Sequence, residues 1–234
     1  MTDWAILRQV VIATADHAGD TAAVRAAFGL GGGFDDPELK SINLADATMP
    51  VSTSTQRYLE FVAPITDDGP IASWLGKVGG RGGYTLSIQH PDPDGVRARC
   101  AELGVRVPID QLAFGHQILQ LHPKDVGLVL EIDGIADPDV WFWDDMDPGP
   151  EPGATIDEIV GVEITVPDPA AMTAKWVAVM DLPEPSEPNV IEMGGASVRF
   201  VEGPASPDWT VLVRRAGDAE VGDPGLAGIT FRAV

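Results

Sequence analysis

Three segments of the chain share one pattern, in which an alternating run of apolar residues ends in aspartate and leads into a helix-compatible stretch. They span residues 7–16, 83–92 and 159–168, so their closing aspartates are 76 residues apart both times. A long period that opens with a strand and a helix indicates one supersecondary unit copied along the chain. A shortened fourth copy lies at residues 226–234. Differences between the copies are therefore the best guide to functional residues.

Each copy predicts a strand, a helix and then two or three further strands. Alternation of apolar and polar positions over residues 7–13 favours a strand with two distinct faces. Gly29 and Gly104 follow the first two helical stretches, where glycine commonly ends a helix. The order of elements predicts an α+β protein.

The charge balance restricts the partners of the protein. The chain has 15 Lys and Arg residues against 36 Asp and Glu residues, for a net charge of −21. Binding to phosphates needs clustered basic side chains, so nucleic acid and anionic membranes are excluded as expected partners. A small molecule remains the expected partner.

Other features of the composition predict a cytoplasmic protein. No apolar run approaches the roughly 18 residues that a membrane-spanning helix needs. The first residues lack the charged and apolar regions of a secretory leader. Cys100 is the single cysteine, which excludes an intramolecular disulfide and is typical of a reducing compartment.

An acidic and proline-rich segment separates the second copy from the third. It spans residues 136–156, and its prolines and like charges predict a semi-extended linker. The predicted organisation is therefore two copies of the unit, which hold the candidate site, over residues 1–135, then this linker, and then a third, degenerate module over residues 157–234. The aromatic residues 141–143 either pin the linker to the body of the protein or line a ligand pocket.

Two glutamates interrupt otherwise apolar strands at matching points of the first two copies. Glu60 lies within Tyr-Leu-Glu-Phe-Val, and Glu131 lies within Leu-Val-Leu-Glu-Ile. A carboxylate in such surroundings needs a cation, a hydrogen-bond partner or a wet cavity, because burying it unpaired costs several kcal/mol. We align Phe200 with these glutamates in the third copy, which therefore lacks the carboxylate. Salt bridges to arginines of the same sheet are the alternative explanation for the pair.

The first strand of each copy differs in the same way. It carries Gln9 in the first copy, Thr85 in the second and Gly161 in the third. The first two copies thus offer polar groups at both matching positions, and the third offers none. An amide bonded to the backbone is the alternative role for Gln9.

Residues 5–133 resemble the vicinal oxygen chelate superfamily (glyoxalase, bleomycin resistance and dioxygenase proteins), and most closely its methylmalonyl-CoA epimerase-like branch. The matching motifs are Leu-Glu-Phe-Val-Ala-Pro-Ile at 59–65, the glycine-rich stretch 73–83, Leu-Gly-Val-Arg-Val at 103–107 and Leu-His-Pro-Lys-Asp-Val-Gly-Leu-Val-Leu-Glu-Ile at 121–132. The resemblance implies tandem βαβββ modules, two of which pair so that their sheets curl around a cavity. It also implies that the first and last strands of each module supply ligands to a divalent metal.

Carried over position by position, the resemblance implies the metal ligands Gln9, Glu60 and Glu131. The fourth position, commonly histidine in the family, is Thr85. The implied cofactor is a divalent ion among Mg²⁺, Mn²⁺, Co²⁺, Ni²⁺ and Zn²⁺, and three oxygen donors favour Mg²⁺ or Mn²⁺.

The candidate catalytic residues are Glu131 and His116. Glu131, as a ligand or as a displaced base, is the candidate for proton transfer. His116 shares a strand face with Gln120 and His122 and is predicted to contact substrate or metal. For His122, which precedes a proline, we expect a structural hydrogen bond.

Two functions from different classes fit these residues. The first is a metal-dependent isomerase, epimerase or lyase that stabilises an enolate of a small carbonyl substrate. The alternative is a metal-free protein of the same fold that sequesters a small molecule. Ring-cleaving dioxygenase chemistry normally wants two histidines and one carboxylate for iron, which Gln9 and Thr85 disfavour. The third module is predicted either to pack its sheet against the first pair or to form a homodimer interface.

Overall fold

The computed structural model describes residues 4–52, 54–142 and 152–234. The helices are α1 (His17–Phe28), α2 (Pro70–Val78), α3 (Pro93–Leu103), α4 (Pro123–Val126) and α5 (Pro169–Met180). The strands are β1 (Ile6–Thr14), β2 (Leu44–Ser52), β3 (Arg57–Pro64), β4 (Arg81–Gln89), β5 (Ile109–Ala113), β6 (His116–Leu121), β7 (Val129–Gly134), β8 (Ile156–Val166), β9 (Val190–Met193), β10 (Ala196–Glu202), β11 (Thr210–Arg215), β12 (Gly225–Leu226) and β13 (Ile229–Ala233). In this part of the chain, no helix has the length and apolar character needed to cross a membrane.

The aspartates of the repeated pattern are the N-caps of α1, α3 and α5. Asp16, Asp92 and Asp168 each accept a hydrogen bond from the backbone N–H three residues later in the chain. These bonds satisfy N–H groups that have no partner within the helix. What repeats every 76 residues is therefore a strand followed by a capping aspartate and a helix, as the sequence predicts.

Contacts between residues divide the chain into two compact units. The Glu60 unit holds residues 9–84, 152–160 and 207–234, and the Glu131 unit holds residues 4–8, 85–142 and 161–206. The three-region organisation proposed from the sequence, with boundaries near 135 and 157, stays a prediction.

The Glu60 unit contains two runs of adjacent strands, in the orders β2-β3-β1 and β12-β13-β11. In each run the first and last strands of the motif are parallel neighbours, β1 with β3 and β11 with β13. Phe28 at the end of α1 packs edge-on against Phe231 of β13, with ring centroids 5.0 Å apart. Aromatic burial of this kind is a large apolar contribution to the core of the unit.

The Glu131 unit contains the strand orders β4-β7-β6-β5 and β8-β10-β9. Its first run is a complete βαβββ module, because β4 leads into α3 and the antiparallel strands β5, β6 and β7 follow, with β7 parallel to β4. The predicted α+β fold with βαβββ modules is confirmed. Helices α3 and α5 pack together, and the indole nitrogen of Trp176 on α5 donates to the carbonyl of Val126, 2.9 Å away.

The region after residue 156 holds more than one degenerate module. The parallel pair β8 and β10 forms one partial module, and the parallel pair β11 and β13 forms another. The shortened fourth copy, residues 226–234, contains β13 and the last residue of β12.

Trp141 fixes the start of the acidic linker to the Glu131 unit. Its side chain is buried, and the guanidinium of Arg8 lies 5.4 Å from the centre of its ring. The same guanidinium donates to the carbonyl of Pro138 at 2.6 Å. The predicted pinning of the linker is confirmed for residues 136–142, while Trp143 and the acidic residues up to Glu151 lie outside the described part.

Candidate functional site

Gln9 and Glu60 form a side-chain pair in the Glu60 unit. The amide nitrogen Nε2 of Gln9 donates a short hydrogen bond to Oε2 of Glu60. In the parallel register, Gln9 lies beside Tyr58, and Glu60 follows two residues later on β3, so both side chains share one face. Gln9 is buried and Glu60 is partly exposed. The structure therefore brings together two of the three predicted metal ligands.

Thr48 extends this pair onto a third strand. It lies directly opposite Glu60 in the antiparallel register of β2 and β3, and directly opposed residues share a face. Its side chain is buried, and Oγ1 has no hydrogen-bond partner among the residues that the structure describes. Thr48, Glu60 and Gln9 are hereafter called the polar row.

An apolar cluster continues the same face beyond the polar row. Val11, Ala13 and Val62 pack there against Ile71 and Leu75 of α2. Helix α2 thus excludes water from one end of the face, which strengthens electrostatic interactions nearby.

Glu131 is held by two side chains from neighbouring strands. Its Oε2 accepts from Nε2 of Gln120 at 2.6 Å, and its Oε1 lies 3.1 Å from the hydroxyl of Ser87. These contacts follow from register, because Glu131 on β7 lies beside Ser87 of β4 and opposite Gln120 of β6. Glu131 keeps partial exposure, so a ligand can reach it.

Asp133 adds a second carboxylate to this network. The Ser87 hydroxyl donates a short hydrogen bond to Oδ2 of Asp133, and both side chains are fully buried. Since a hydroxyl has one proton, Ser87 serves two carboxylates with a single donor.

Burial raises the pKa of Glu131 above its ordinary value. Hydrogen bonds from Gln120 and Ser87 act in the opposite direction and only partly offset the cost of removing the charged form from water. A carboxyl group with a raised pKa can take up and return a proton closer to neutral pH than a surface glutamate.

Ser87, rather than Thr85, is the residue of β4 that contacts Glu131. Thr85 is buried beside Val129, two residues earlier on the strand. Sequence reasoning missed Ser87 and Asp133, although the alternation of β4 puts Ser87 on the same face as Thr85. The polar face predicted for β6 does meet the site, through Gln120.

His116 lies at one end of β6, away from Gln120, the β6 residue that donates to Glu131. The two residues are four positions apart along the strand, which corresponds to roughly 13 Å. The imidazole of His116 packs edge-on against Phe142, with centroids 5.5 Å apart. A catalytic role for His116 stays a prediction. His122 instead caps α4, since its Nδ1 accepts from the backbone N–H of Lys124 at 3.1 Å, as expected for a structural hydrogen bond.

The register corrects one alignment between the copies. On β10, the neighbour of Glu163 is Arg199, and this pair occupies the place that Val11 and Glu60 hold on β1 and β3. The third copy therefore carries an arginine at the glutamate position, and not Phe200, which packs against Trp176 with centroids 5.1 Å apart. The absence of a carboxylate from that position is unchanged by the correction.

The donors of the polar row fit a hydrated hard cation. Mg²⁺ is commonly bound through one or two protein oxygens and retains several waters, whereas structural zinc prefers four nitrogen or sulfur ligands. Gln9 and Glu60 bring an amide and a carboxylate side by side. No cluster of three or more His, Cys, Asp and Glu side chains with metal-binding geometry occurs within residues 4–52, 54–142 and 152–234. Participation of Glu131 as a ligand stays a prediction.

No family model matches the sequence, and no curated protein matches it. Solved structures of methylmalonyl-CoA epimerases are similar to it. An epimerase in complex with methylmalonyl-CoA and NH₄⁺ is 25% identical, with a TM-score of 0.49, over 56% of this chain and 94% of that chain. A variant of the Streptomyces coelicolor epimerase in complex with 2-nitronate-propionyl-CoA is 24% identical, with a TM-score of 0.49, over 57% and 97%. The Mycobacterium tuberculosis epimerase is 23% identical, with a TM-score of 0.46, over 54% and 85%.

Proposed function

We propose that this protein transfers a proton at the carbon next to a carbonyl group of a small-molecule substrate, as an isomerase, epimerase or lyase. The observation that carries the proposal is the environment of Glu131. Its carboxyl group is oriented by Gln120 and Ser87, keeps access to solvent and has a raised pKa. These properties suit a group that removes and returns a proton.

Each side chain has a separate task in the proposed reaction. Gln120 and Ser87 hold the carboxyl group of Glu131 in one orientation, so that little reorganisation accompanies proton transfer. Gln9 and Glu60 would hold a divalent cation, by the fit of their oxygens to a hydrated hard ion. Such a cation would supply positive charge that stabilises negative charge developing on a ligand oxygen.

The charge of the chain bears on the substrate. A net charge of −21 repels polyanions at long range, so a small neutral carbonyl compound is favoured over a coenzyme A ester.

The proposal is tested by isotope exchange, which does not require the natural product to be known. The protein is incubated in D₂O with a panel of ketones, 2-oxo acids and acyl thioesters, with Mg²⁺ or Mn²⁺ or with a chelator, and deuterium uptake is measured by mass spectrometry. We expect uptake at the carbon next to the carbonyl in at least one compound. Glu131→Gln should slow uptake by about 10²–10⁴-fold, whereas Glu192→Gln, an exposed strand glutamate of the same unit, should not. Uptake at the wild-type rate in Glu131→Gln contradicts the assignment.

Binding without catalysis is the second candidate, and one observation favours it. Both carboxylate oxygens of Glu131 already have side-chain partners in the folded protein, an arrangement that also suits a static polar wall of a ligand pocket. Saturable binding of a compound from the panel, with no deuterium uptake under any metal condition, would select this function.

A further inference from the structure

Thr48 is a buried polar side chain to which the proposed reaction assigns no task. It is 1% exposed, and Oγ1 has no hydrogen-bond partner within the described part of the chain. Buried hydroxyl groups in folded proteins are almost always hydrogen-bonded, because an unsatisfied one loses its interactions with water and gains nothing in return. Valine has the same shape and avoids this loss. A threonine at this position therefore points to a partner from outside the chain.

The position of Thr48 selects the site in which that partner binds. The residue lies directly opposite Glu60 on the neighbouring strand, with Cβ atoms about 5 Å apart as in any directly opposed pair. Gln9 approaches Glu60 from the other side and donates to its Oε2. A group seated between Thr48 and Glu60 would complete the polar row.

The chemistry of the two neighbours restricts the bound group. An ionised Glu60 only accepts hydrogen bonds, while the hydroxyl of Thr48 can donate one. A hydroxyl group meets both requirements, since it accepts from Thr48 and donates to Glu60. A carboxylate or phosphate would face the charge of Glu60, and an ammonium, which can only donate, would offer no acceptor to the Thr48 proton.

We propose that Thr48 binds a hydroxyl group of the ligand, which bridges Oγ1 of Thr48 and the carboxylate of Glu60. If that ligand is the substrate of the proposed function, on which this step rests, it is a carbonyl compound that carries a hydroxyl group. Thr48 is thereby a specificity-determining residue.

The first test is the stability of the ligand-free protein. Thr48→Val should leave the melting temperature unchanged or raise it by about 2–4 °C, because it removes an unsatisfied hydroxyl. Thr173→Val is the matched control, since the Thr173 hydroxyl donates to the carbonyl of Pro169 at 2.7 Å, and it should lower the melting temperature. A fall for Thr48→Val as large as that of the control would show that the hydroxyl serves the fold, and would overturn the proposal.

The second test is binding of two matched probes. Pentan-2-one and 4-hydroxybutan-2-one differ by a methyl group in place of a hydroxyl, and their dissociation constants are measured by ligand-observed NMR. The wild-type protein should favour the hydroxyketone about tenfold, the effect of one hydrogen-bonded group. The preference should vanish in Thr48→Val and persist in Thr48→Ser.

Equal binding of the two probes by the wild-type protein, or a preference that survives in Thr48→Val, overturns the role of Thr48. These outcomes are separate from the failure of the proposed function, which is an absence of Glu131-dependent deuterium uptake. A hydroxyl preference without deuterium uptake would leave Thr48 in its role in a binding protein.

Discussion

Glu60 and Glu131 occupy matching positions in two copies of one motif, and their surroundings differ. Glu131 lies between donors on two neighbouring strands, Gln120 and Ser87, whereas Glu60 accepts from Gln9 and lies opposite Thr48. The hydroxyl of Thr48 has no hydrogen-bond partner among the residues that the structure describes.

This difference indicates that the two copies of the motif are suited to different roles. A carboxylate whose orientation is set by protein donors is prepared for proton transfer, since its geometry does not depend on a ligand. A carboxylate next to an unsatisfied hydroxyl is suited to binding, because the ligand completes the hydrogen bonds. The third copy, with Arg199 at the glutamate position, can do neither task in the same way.

The largest expected effect separates the two glutamates by rate. Glu131→Gln should reduce deuterium uptake by about 10²–10⁴-fold, the usual contribution of a general base. Glu60→Gln should cost less, on the order of 10–100-fold, and the loss should shrink as the Mg²⁺ concentration rises, because the change weakens cation binding. Initial rates across a Mg²⁺ titration measure both effects.

The assignment of tasks fails if the two variants respond alike. An equal, Mg²⁺-insensitive loss in Glu60→Gln would mean that Glu60 also transfers the proton. Glu192→Gln is the control for a loss of negative charge at an exposed strand position.

The second prediction concerns pH and the buried carboxylate of the Glu60 unit, Asp46. Both of its oxygens accept from the backbone N–H of Asp36, and burial raises its pKa to about 6, above the ordinary value for an aspartate. Because the folded state binds this proton more tightly than the unfolded state, its contribution to stability is present below about pH 4 and is lost as pH rises to about 6. A shift of this size corresponds to about 3 kcal/mol.

Asparagine cannot ionise, so Asp46→Asn should remove the loss of stability that accompanies ionisation of Asp46. The stability of the variant relative to wild type should therefore increase between pH 4 and pH 7, as measured by denaturant unfolding at each pH. For Asp125 the pH dependence of stability has the opposite sign, because hydrogen bonds from Arg106 lower its pKa. Asp125→Asn should therefore lose stability relative to wild type as pH rises. A stability difference between Asp46→Asn and wild type that does not change with pH would contradict a raised pKa for the buried Asp46 carboxyl group.

Much of the fold could be predicted from the sequence because its signals are local. The capping aspartates, the glycines after α1 and α3 and the alternation of β1 each act within a few residues. Strand β2 and helix α2 give no clear period in the sequence, since burial along β2 is continuous from residue 46 to residue 52 and α2 has only nine residues. The single cysteine, Cys100, is buried on α3, and burial raises its pKa to about 11.

The candidate site shows where sequence reasoning stops. Glu60 and Glu131 could be found because a charge in an apolar strand is conspicuous. Ser87 and Thr48 could not, since a small hydroxyl residue in a strand is common and its importance depends on which residue lies beside it. Register supplies that information, and register follows from pairing across the sheet rather than from local sequence.

The smallest expected effect tests the residue that the sequence did not reveal. Ser87→Ala removes the donor shared by Glu131 and Asp133, in a position with no exposure to water. A buried acceptor that loses its partner costs about 2 kcal/mol, so the free energy of unfolding should fall by about that amount. Ser73→Ala, the same change on the exposed face of α2, should have almost no effect.

Measured together, the unfolding energy and the rate of deuterium uptake separate two roles for Ser87. If Ser87 positions Glu131, the uptake rate of the folded variant falls and its pH profile shifts, because one of the hydrogen bonds that lower the Glu131 pKa is gone. The sign is fixed, since removal of that bond raises the pKa and moves the rising limb of the profile to higher pH. A variant that is less stable but keeps the wild-type profile would restrict Ser87 to the core and leave the orientation of Glu131 to Gln120.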